Sequence, residues 1–287
     1  MSDKPASFLA RLMEEPPFRI FGKAFVKRFS SDIRTISHWD AAERPNYLLG
    51  VLRAADQALE SNIKEIAVAE FGVAGGAGLL CLQSYAERVQ AATGVKIHVL
   101  GFDTGEGLPK GTGDFRDHPE IWSPGDFPMV WDELRPRLGP QTQLVLGDVA
   151  HTLPDFVKHQ LPAPIGFISI DVDFYSSTRD ALRILSMPER KMLFRTVIYL
   201  DDVETMLYHR FAGELLAVED FNRDTPGVKI DRWRGIRSRR PFHEEVWLDR
   251  MYVAYDLEAI DRIGHDPSRS KLVLDLSNVS NTGNIIR

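Results

Sequence analysis

The chain has 287 residues, and 35 Lys and Arg against 41 Asp and Glu give a formal net charge of −6. This balance lacks the basic surface that binding through nucleic-acid phosphates requires, so we expect no nucleic-acid partner. A single cysteine, Cys81, excludes an internal disulfide and a cysteine-rich zinc site. No apolar run reaches the roughly 18 residues of a membrane span, and no signal-peptide core is evident, so we expect a cytoplasmic protein without membrane contact.

Residues 1–60 are predicted to form an N-terminal helical region, because apolar residues recur at spacings of three and four from Tyr47 onward. Short apolar segments then alternate with amphipathic ones. The predicted strands are Ile66–Phe71, Ile97–Phe102, Gln143–Leu146, Ile165–Ile170 and Thr196–Leu200. The predicted helices are Gly78–Ala92, His151–His159, Ser177–Leu185 and Glu204–Arg223. The range 104–141 is rich in Gly, Pro and aromatic residues, which indicates a lid or an insertion.

The end of the folded region changes character. Lys229–Trp233 and Met251–Tyr255 have the pattern of strands, and no helical segment separates them. The sequence therefore predicts a doubly wound, Rossmann-like α/β domain over residues 61–260, with a mostly parallel sheet and an antiparallel edge strand. Residues 261–287 are predicted to form a C-terminal tail or partner-binding arm, and the sequence leaves open whether the chain forms a homo-oligomer.

A glycine-rich turn follows the first predicted strand, in the run from Glu70 to Gly78. Glycines allow the backbone to turn tightly and to approach a ligand closely. Their spacing is not G-x-G-x-x-G, which counts against a nicotinamide dinucleotide. For this segment alone, an ordinary strand-to-helix turn is an equally good interpretation.

Acidic residues end the next two predicted strands. Asp103 ends the second strand, and the Gly147-Asp148 pair ends the third. A carboxylate at such a position can accept both hydroxyl protons of a ribose diol, although either residue could instead cap a helix. With the glycine turn, three successive strand ends carry suitable groups, and this coincidence favours a nucleoside pocket.

Four carboxylates lie at the ends of the fourth and fifth predicted strands: Asp171, Asp173, Asp201 and Asp202. So many carboxylates cannot all be ionised at little cost unless a cation lies among them. Oxygen ligands suit Mg²⁺ or a similar hard ion. Helix capping explains one or two of the four, but not all, so the sequence predicts a metal site.

Five runs in this order resemble a known family. They are Glu-Phe-Gly-Val-Ala-Gly-Gly from Glu70, Phe-Asp-Thr-Gly-Glu-Gly-Leu-Pro from Phe102, Gly-Asp-Val-Ala-His-Thr-Leu-Pro from Gly147, Asp-Val-Asp-Phe-Tyr-Ser-Ser-Thr from Asp171 and Leu-Asp-Asp-Val from Leu200. They are similar to the S-adenosylmethionine-dependent O-methyltransferases of the macrocin, mycinamicin and novobiocin sugar type. The resemblance covers residues 65–221. The chain departs from the pattern at Ala74 and Val203, where the family carries larger residues.

The resemblance implies a class I methyltransferase fold, S-adenosyl-L-methionine as cofactor and a divalent metal, usually Mg²⁺. By position, it implies that the cofactor contacts Glu70, Gly72, Gly75, Gly76, Asp103, Gly147, Asp148 and Asp171. It implies that Asp173, Asp201 and Asp202 hold the metal, with Asp171 able to share that role.

Methyl transfer to oxygen requires alignment of the acceptor hydroxyl and removal of its proton. Asp173 and His209 are the candidate catalytic residues, and the expected acceptor is a hydroxyl of a small molecule such as a sugar or a glycosylated metabolite. Two alternatives remain. Asp171-Val-Asp173 matches the D-x-D pattern of metal-dependent nucleotide-sugar glycosyltransferases, and the chain could also be a cofactor-binding module without catalysis.

Five arginines lie between the two late strands: Arg232, Arg234, Arg237, Arg239 and Arg240. The simpler interpretation is a solvated hairpin. The alternative is a surface that holds an anionic acceptor or the acidic patch of a partner.

Overall fold

The computed structural model describes residues 18–264, so the predictions made for residues 1–17 and 265–287 lie outside the described residues. Three helices precede the sheet: α1 (Phe18–Phe29), α2 (Ile33–His38) and α3 (Pro45–Glu60). Asp32 caps α2, because its carboxylate accepts hydrogen bonds from the N–H groups of Arg34 and Thr35. A proline begins α3, at a position where its missing N–H removes no helical hydrogen bond.

The strands are β1 (Glu65–Phe71), β2 (Lys96–Asp103), β3 (Thr142–Leu146), β4 (Ile165–Ile170), β5 (Met192–Leu200), β6 (Val228–Arg232) and β7 (Met251–Asp256). They form one sheet in the order β3-β2-β1-β4-β5-β7-β6. All pairs among β1 to β5 are parallel, whereas β7 runs antiparallel to both β5 and β6. This order and direction confirm the predicted Rossmann-like methyltransferase fold class.

The remaining helices are α4 (Ala77–Thr93), α5 (Trp131–Leu134), α6 (Val149–His159), α7 (Tyr175–Leu182), α8 (Gly213–Asp224) and α9 (Leu257–Gly264). Apolar side chains of α3 and α4 cover one face of the sheet, and those of α6, α7 and α8 cover the other. The central strand β4 is therefore buried on both faces, which explains why its sequence is apolar without alternation. Among the described residues, no helix is long and apolar enough to cross a bilayer.

The prediction of a helix over Glu204–Arg223 is wrong in its first half. Residues 204–212 form turns, and α8 begins only at Gly213. Two of the apolar residues that produced the helical spacing, Leu207 and Phe211, are 51% and 67% exposed, so they do not form a buried helix face. The other predicted elements are present with ends shifted by a few residues; the largest shift is in β5, which begins at Met192 rather than Thr196.

Candidate functional site

The turn after β1 brings its backbone against the end of β4. Gly72 has φ +85°, and a Cβ on it would lie 1.7 Å from the carbonyl oxygen of Asp171. Only a glycine fits this conformation and this contact. Gly76, also at positive φ, is the N-cap of α4, while a Cβ at Gly75 would meet no atom within 4 Å. The glycine turn is thus a close backbone junction between two neighbouring strand ends.

Asp103, at the end of β2, holds the glycine turn in place. Its Oδ2 accepts hydrogen bonds from the N–H groups of Val73 (2.7 Å) and Ala74 (2.9 Å), and its Oδ1 accepts one from Gly105 (2.7 Å). These bonds fix the carboxylate at the mouth of the turn. Oδ2 already accepts two hydrogen bonds, whereas Oδ1 accepts one, so the second lone pair of Oδ1 can accept a hydroxyl proton of a ligand.

The third strand end is more open. Asp148 caps α6, because its Oδ1 accepts a hydrogen bond of 2.8 Å from the N–H of Ala150. The capping interpretation that the sequence offered for this residue is therefore present in the structure. Asp148 is exposed and also lines the large cavity described next, and its second carboxylate oxygen, Oδ2, lies 3.7 Å from the Nδ1 of His151.

A cavity of about 540 Å³ lies at the carboxyl edge of the strands. Its walls include Gly72, Asp103 and Asp148, and the aspartates at the ends of β4 and β5. The range 104–141 supplies another wall, which includes Leu108, Lys110, Thr112, Trp122 and Phe127. The predicted insertion therefore folds over the cavity, and Leu134 anchors it in the core.

Carboxylate oxygens of Asp171, Asp173 and Asp202 lie within 4.8 Å of one another. We call this group the carboxylate cluster. Burial, and then the charges of Asp201 and Asp202, raise the pKa of Asp171 to about 7. Burial and the neighbouring Asp202 also raise the pKa of Asp173. Asp173 and Asp202 are buried and Asp171 is half-buried, and carboxylates crowded in this way hold protons more strongly than isolated ones unless a bound cation offsets their charges.

Asp201 lies apart from the carboxylate cluster, although the sequence grouped it with the metal ligands. Its Oδ1 accepts hydrogen bonds of 2.7 Å from the hydroxyl of Tyr199 and from Arg250. Arg250 offsets part of its charge, the rest of which raises the pKa of Asp171. The structure thus brings together Asp173 and Asp202 from the predicted set, and joins to them Asp171 rather than Asp201.

Two residues that sequence reasoning missed lie against the carboxylate cluster. Glu214, in the first turn of α8, is fully buried, and its Oε2 accepts a hydrogen bond of 3.1 Å from the N–H of Asp202. Burial raises the pKa of Glu214 well above its usual value. Burial and the neighbouring Asp202 carboxylate raise the pKa of Tyr208. The missed signal was a single glutamate among the apolar residues that follow Phe211.

The predicted base His209 is exposed in the turns before α8, not two helical turns along a helix. It does not line the large cavity, and its ring packs against His118, with 5.4 Å between the ring centroids. His118 is only 1% exposed, and its Nδ1 lies 3.0 Å from Glu120.

Glu70 is buried beneath the glycine turn and does not line the cavity. The hydroxyl of Tyr47 donates to its Oε1 over 2.5 Å, and Ser169 donates to Tyr47 over 2.9 Å. Burial raises the pKa of Glu70 to about 8. Glu70 thus supports the turn from inside the core.

The residues of the cavity fit both ligands that the sequence predicts, a divalent cation and a nucleoside cofactor. For a cation, the buried Oδ2 of Asp202 and Oε1 of Glu214 have no hydrogen-bond partner among the described residues. Carboxylate oxygens are the ligands that a hard divalent ion prefers. For a nucleoside, the backbone of Gly72 and the Asp103 carboxylate both line the cavity, next to one wall of apolar and aromatic side chains.

No known protein-family model matches the chain, and no curated protein matches it. Several solved structures do. CalS11, a calicheamicin methyltransferase, is 17% identical, with 77% of this chain and 90% of that chain covered and a TM-score of 0.46. TomG, an O-methyltransferase from Streptomyces achromogenes in complex with SAM, is 13% identical (83% and 95% covered, TM-score 0.42). An O-methyltransferase from Bacillus cereus in complex with SAH is 15% identical (88% and 96% covered, TM-score 0.38). The fold assignment rests on the strand order.

Proposed function

We propose that the protein transfers a methyl group from S-adenosyl-L-methionine to a hydroxyl of a small molecule, with help from a divalent cation such as Mg²⁺. One observation carries the proposal. The glycine turn, Asp103 and the carboxylate cluster line a single cavity at the carboxyl edge of the sheet, where α/β proteins of this kind bind ligands. The motif resemblance supports the same activity.

In this proposal, Asp103 accepts a hydrogen bond from a ribose hydroxyl, and Asp148 lies beside the adenine. S-adenosylmethionine supplies the electrophilic methyl group, and the cation supplies positive charge beside the acceptor. Trp122 and Phe127, which also line the cavity, exclude water from the reacting centre. We assign removal of the acceptor proton to Asp173, which lines the cavity with a raised pKa, rather than to the exposed His209.

Calorimetric titration of the purified chain tests the cofactor. S-adenosylhomocysteine should bind with similar affinity in Mg²⁺ and in EDTA, because the cation is proposed to act on the acceptor. Asp103→Ala should weaken this binding by roughly 1–3 kcal/mol, since it leaves polar partners unpaired. Asp114→Ala is the matched control, because Asp114 lies in the insertion, bonds Arg116 and does not line the cavity.

Two outcomes would replace the proposal. Mg²⁺-dependent binding of UDP-glucose without binding of S-adenosylhomocysteine would favour the nucleotide-sugar glycosyltransferase. Retained S-adenosylhomocysteine binding without cation binding, and without methyl transfer to a panel of sugars and phenols, would favour a non-catalytic module.

A further inference from the structure

A second cavity, of about 330 Å³, lies between α3 and the range 233–240. Among the described residues, it shares no lining residue with the cavity at the carboxyl edge. Five of its lining side chains are arginines: Arg34, Arg53, Arg234, Arg239 and Arg240. We call it the arginine cavity. Such a concentration of positive charge is unexpected on a chain whose net charge is −6.

Three of these arginines are neutralised by carboxylates. The pairs are Arg34 with Asp56, Arg234 with Asp231 and Arg240 with Asp40. Within residues 18–264, Asp56 is the one carboxylate that lines the arginine cavity, and both of its oxygens accept hydrogen bonds from Arg34. The remaining two, Arg53 and Arg239, make no side-chain hydrogen bond or ion pair with any residue in that range. The arginine cavity thus contains two uncompensated positive charges.

Arg53 is the more constrained of the two. It projects from α3, between the buried Leu52 and Ala54, and is half-buried. Burial lowers the pKa of Arg53, and the charges of Arg240, Arg239 and Arg34 add to this effect, whereas the charge of Asp56 opposes it. A cation held in this position among other cations is stabilised when an anion occupies the cavity.

The chemistry of the lining selects the kind of anion. A guanidinium group presents planar, paired N–H donors that match the oxygens of a phosphate. Two unpaired guanidinium groups balance the two negative charges of a phosphate monoester. Leu49, Leu52 and Ile236 add an apolar wall, and Trp233 adds an aromatic side chain. The volume is within the range of small-molecule sites.

We propose that the arginine cavity binds a small phosphate monoester, with the phosphate between Arg53 and Arg239 and the organic part against Leu49, Leu52 and Ile236. This site is separate from the proposed methyl-transfer site and does not depend on it. It lies along α3, whose first turn carries Tyr47 beneath the glycine turn.

Calorimetry with phenyl phosphate and with inorganic phosphate tests the site on the full chain. Phenyl phosphate should bind and raise the melting temperature, and inorganic phosphate should bind more weakly, because it cannot contact the apolar wall. Arg53→Gln and Arg239→Gln should each weaken phenyl phosphate binding by about tenfold or more. Arg135→Gln is the matched control, since Arg135 is exposed and lines neither cavity.

The melting temperature of each variant verifies its fold, and its S-adenosylhomocysteine binding separates this proposal from the proposed function. Arg239 is exposed, so Arg239→Gln keeps the test valid even if Arg53→Gln does not fold. The proposal is overturned if phenyl phosphate does not bind the unmodified chain at millimolar concentration. It is equally overturned if both variants bind it as tightly as the Arg135→Gln control, or if inorganic phosphate binds as tightly as phenyl phosphate.

Discussion

Gly72 and Asp171 touch through their backbones, so closely that a Cβ on Gly72 would lie 1.7 Å from the carbonyl oxygen of Asp171. This contact joins the proposed cofactor turn to the carboxylate cluster. The N–H of Asp171 in turn donates to the carbonyl oxygen of Phe71, over 2.9 Å. A change in the turn therefore moves the first residue of the Asp171-Val-Asp173 run.

We predict that Gly72→Ala lowers the free energy of unfolding by about 3 kcal/mol or more, because the new methyl group must displace backbone and the residue must keep a positive φ. Gly75→Ala is the control in the same turn, where a Cβ meets nothing within 4 Å. Its effect should stay within about 1 kcal/mol. Urea denaturation measures both, and equal effects would contradict the close contact.

Because Asp202 belongs to the carboxylate cluster and Asp201 does not, we expect substitutions of these two residues to change the response to Mg²⁺ differently. Mg²⁺ should raise the melting temperature of the unmodified chain, and the gain is about 2.7 kcal/mol when the free ion is at a hundred times its Kd. Asp202→Asn and Asp173→Asn should abolish this response and melt at a higher temperature than the unmodified chain in EDTA, because one of three crowded charges is gone.

Asp201→Asn is the matched control for the cluster. It should keep the response to Mg²⁺ but lose stability in EDTA, since Arg250 loses its charged partner. If Asp201→Asn loses the Mg²⁺ response while Asp202→Asn keeps it, the cation is bound elsewhere.

Glu70 predicts a pH dependence of stability. Its pKa is about 8 in the folded chain, above the usual value of 4.5. The stabilisation that Glu70 contributes to the folded state is therefore fully present below about pH 4.5. It decreases as the pH rises towards 8 and changes little above that. Between these two pH values, the free energy of unfolding of the unmodified chain should fall by more than about 1.4 kcal/mol relative to that of Glu70→Gln. A shift of one pKa unit corresponds to this amount.

Urea denaturation of both proteins across this pH range measures the effect. Glu87→Gln, at an exposed position of α4, is the control for the loss of one carboxylate. A constant difference between the unmodified chain and Glu70→Gln at every pH would show that Glu70 is ionised throughout.

The arginines between β6 and β7 should differ in their contributions to stability. Arg240 is 7% exposed and pairs with the fully buried Asp40. Arg240→Gln leaves a buried carboxylate without its cation and should cost about 3–5 kcal/mol. Arg237 pairs with Asp249 at the surface, so Arg237→Gln should cost about 1 kcal/mol or less. Chemical denaturation of both variants compares them, and similar losses would refute the assignment.

The sequence could predict the surroundings of some of these arginines but not of others. Their number suggested a solvated hairpin, and Arg237 fits that picture. Arg240 does not, because its partner Asp40 is 200 residues away in the chain. No local sequence pattern predicts an ion pair between residues so far apart in the chain.

The sheet and the strand ends could be predicted because apolar runs and turn residues are local signals. The sequence could not show which of Asp201 and Asp202 joins the carboxylate cluster. Asp201 and Asp202 follow the end of β5, where the backbone bends and turns, so the alternation of side chains along a strand does not predict which of the two faces the cluster. Asp171 and Asp173, two residues apart, both join the carboxylate cluster, whereas Asp201 turns to Arg250.

The helix error before α8 has a physical reason of the same kind. The Oε2 of Glu214 must reach the N–H of Asp202, 3.1 Å away, although twelve positions separate them in the chain. A continuous helix over these residues would carry Glu214 about 18 Å from Asp202. Residues 204–212 instead fold back in turns, and a spacing of three and four cannot reveal this long-range requirement.

The contact between Arg240 and Asp40 also bears on how the protein is made. Arg19, in α1, also contacts this late segment, since it donates a hydrogen bond of 3.0 Å to the carbonyl oxygen of Pro241. A ribosome adds about 5–20 residues per second, so some 10–40 seconds pass between the synthesis of α1 and α2 and that of their partners. During that interval these first helices leave the exit tunnel without the segment that neutralises and covers them. The ion pair between Arg240 and Asp40 can form only when nearly the whole domain has emerged, which makes this contact a late step of folding in the cell.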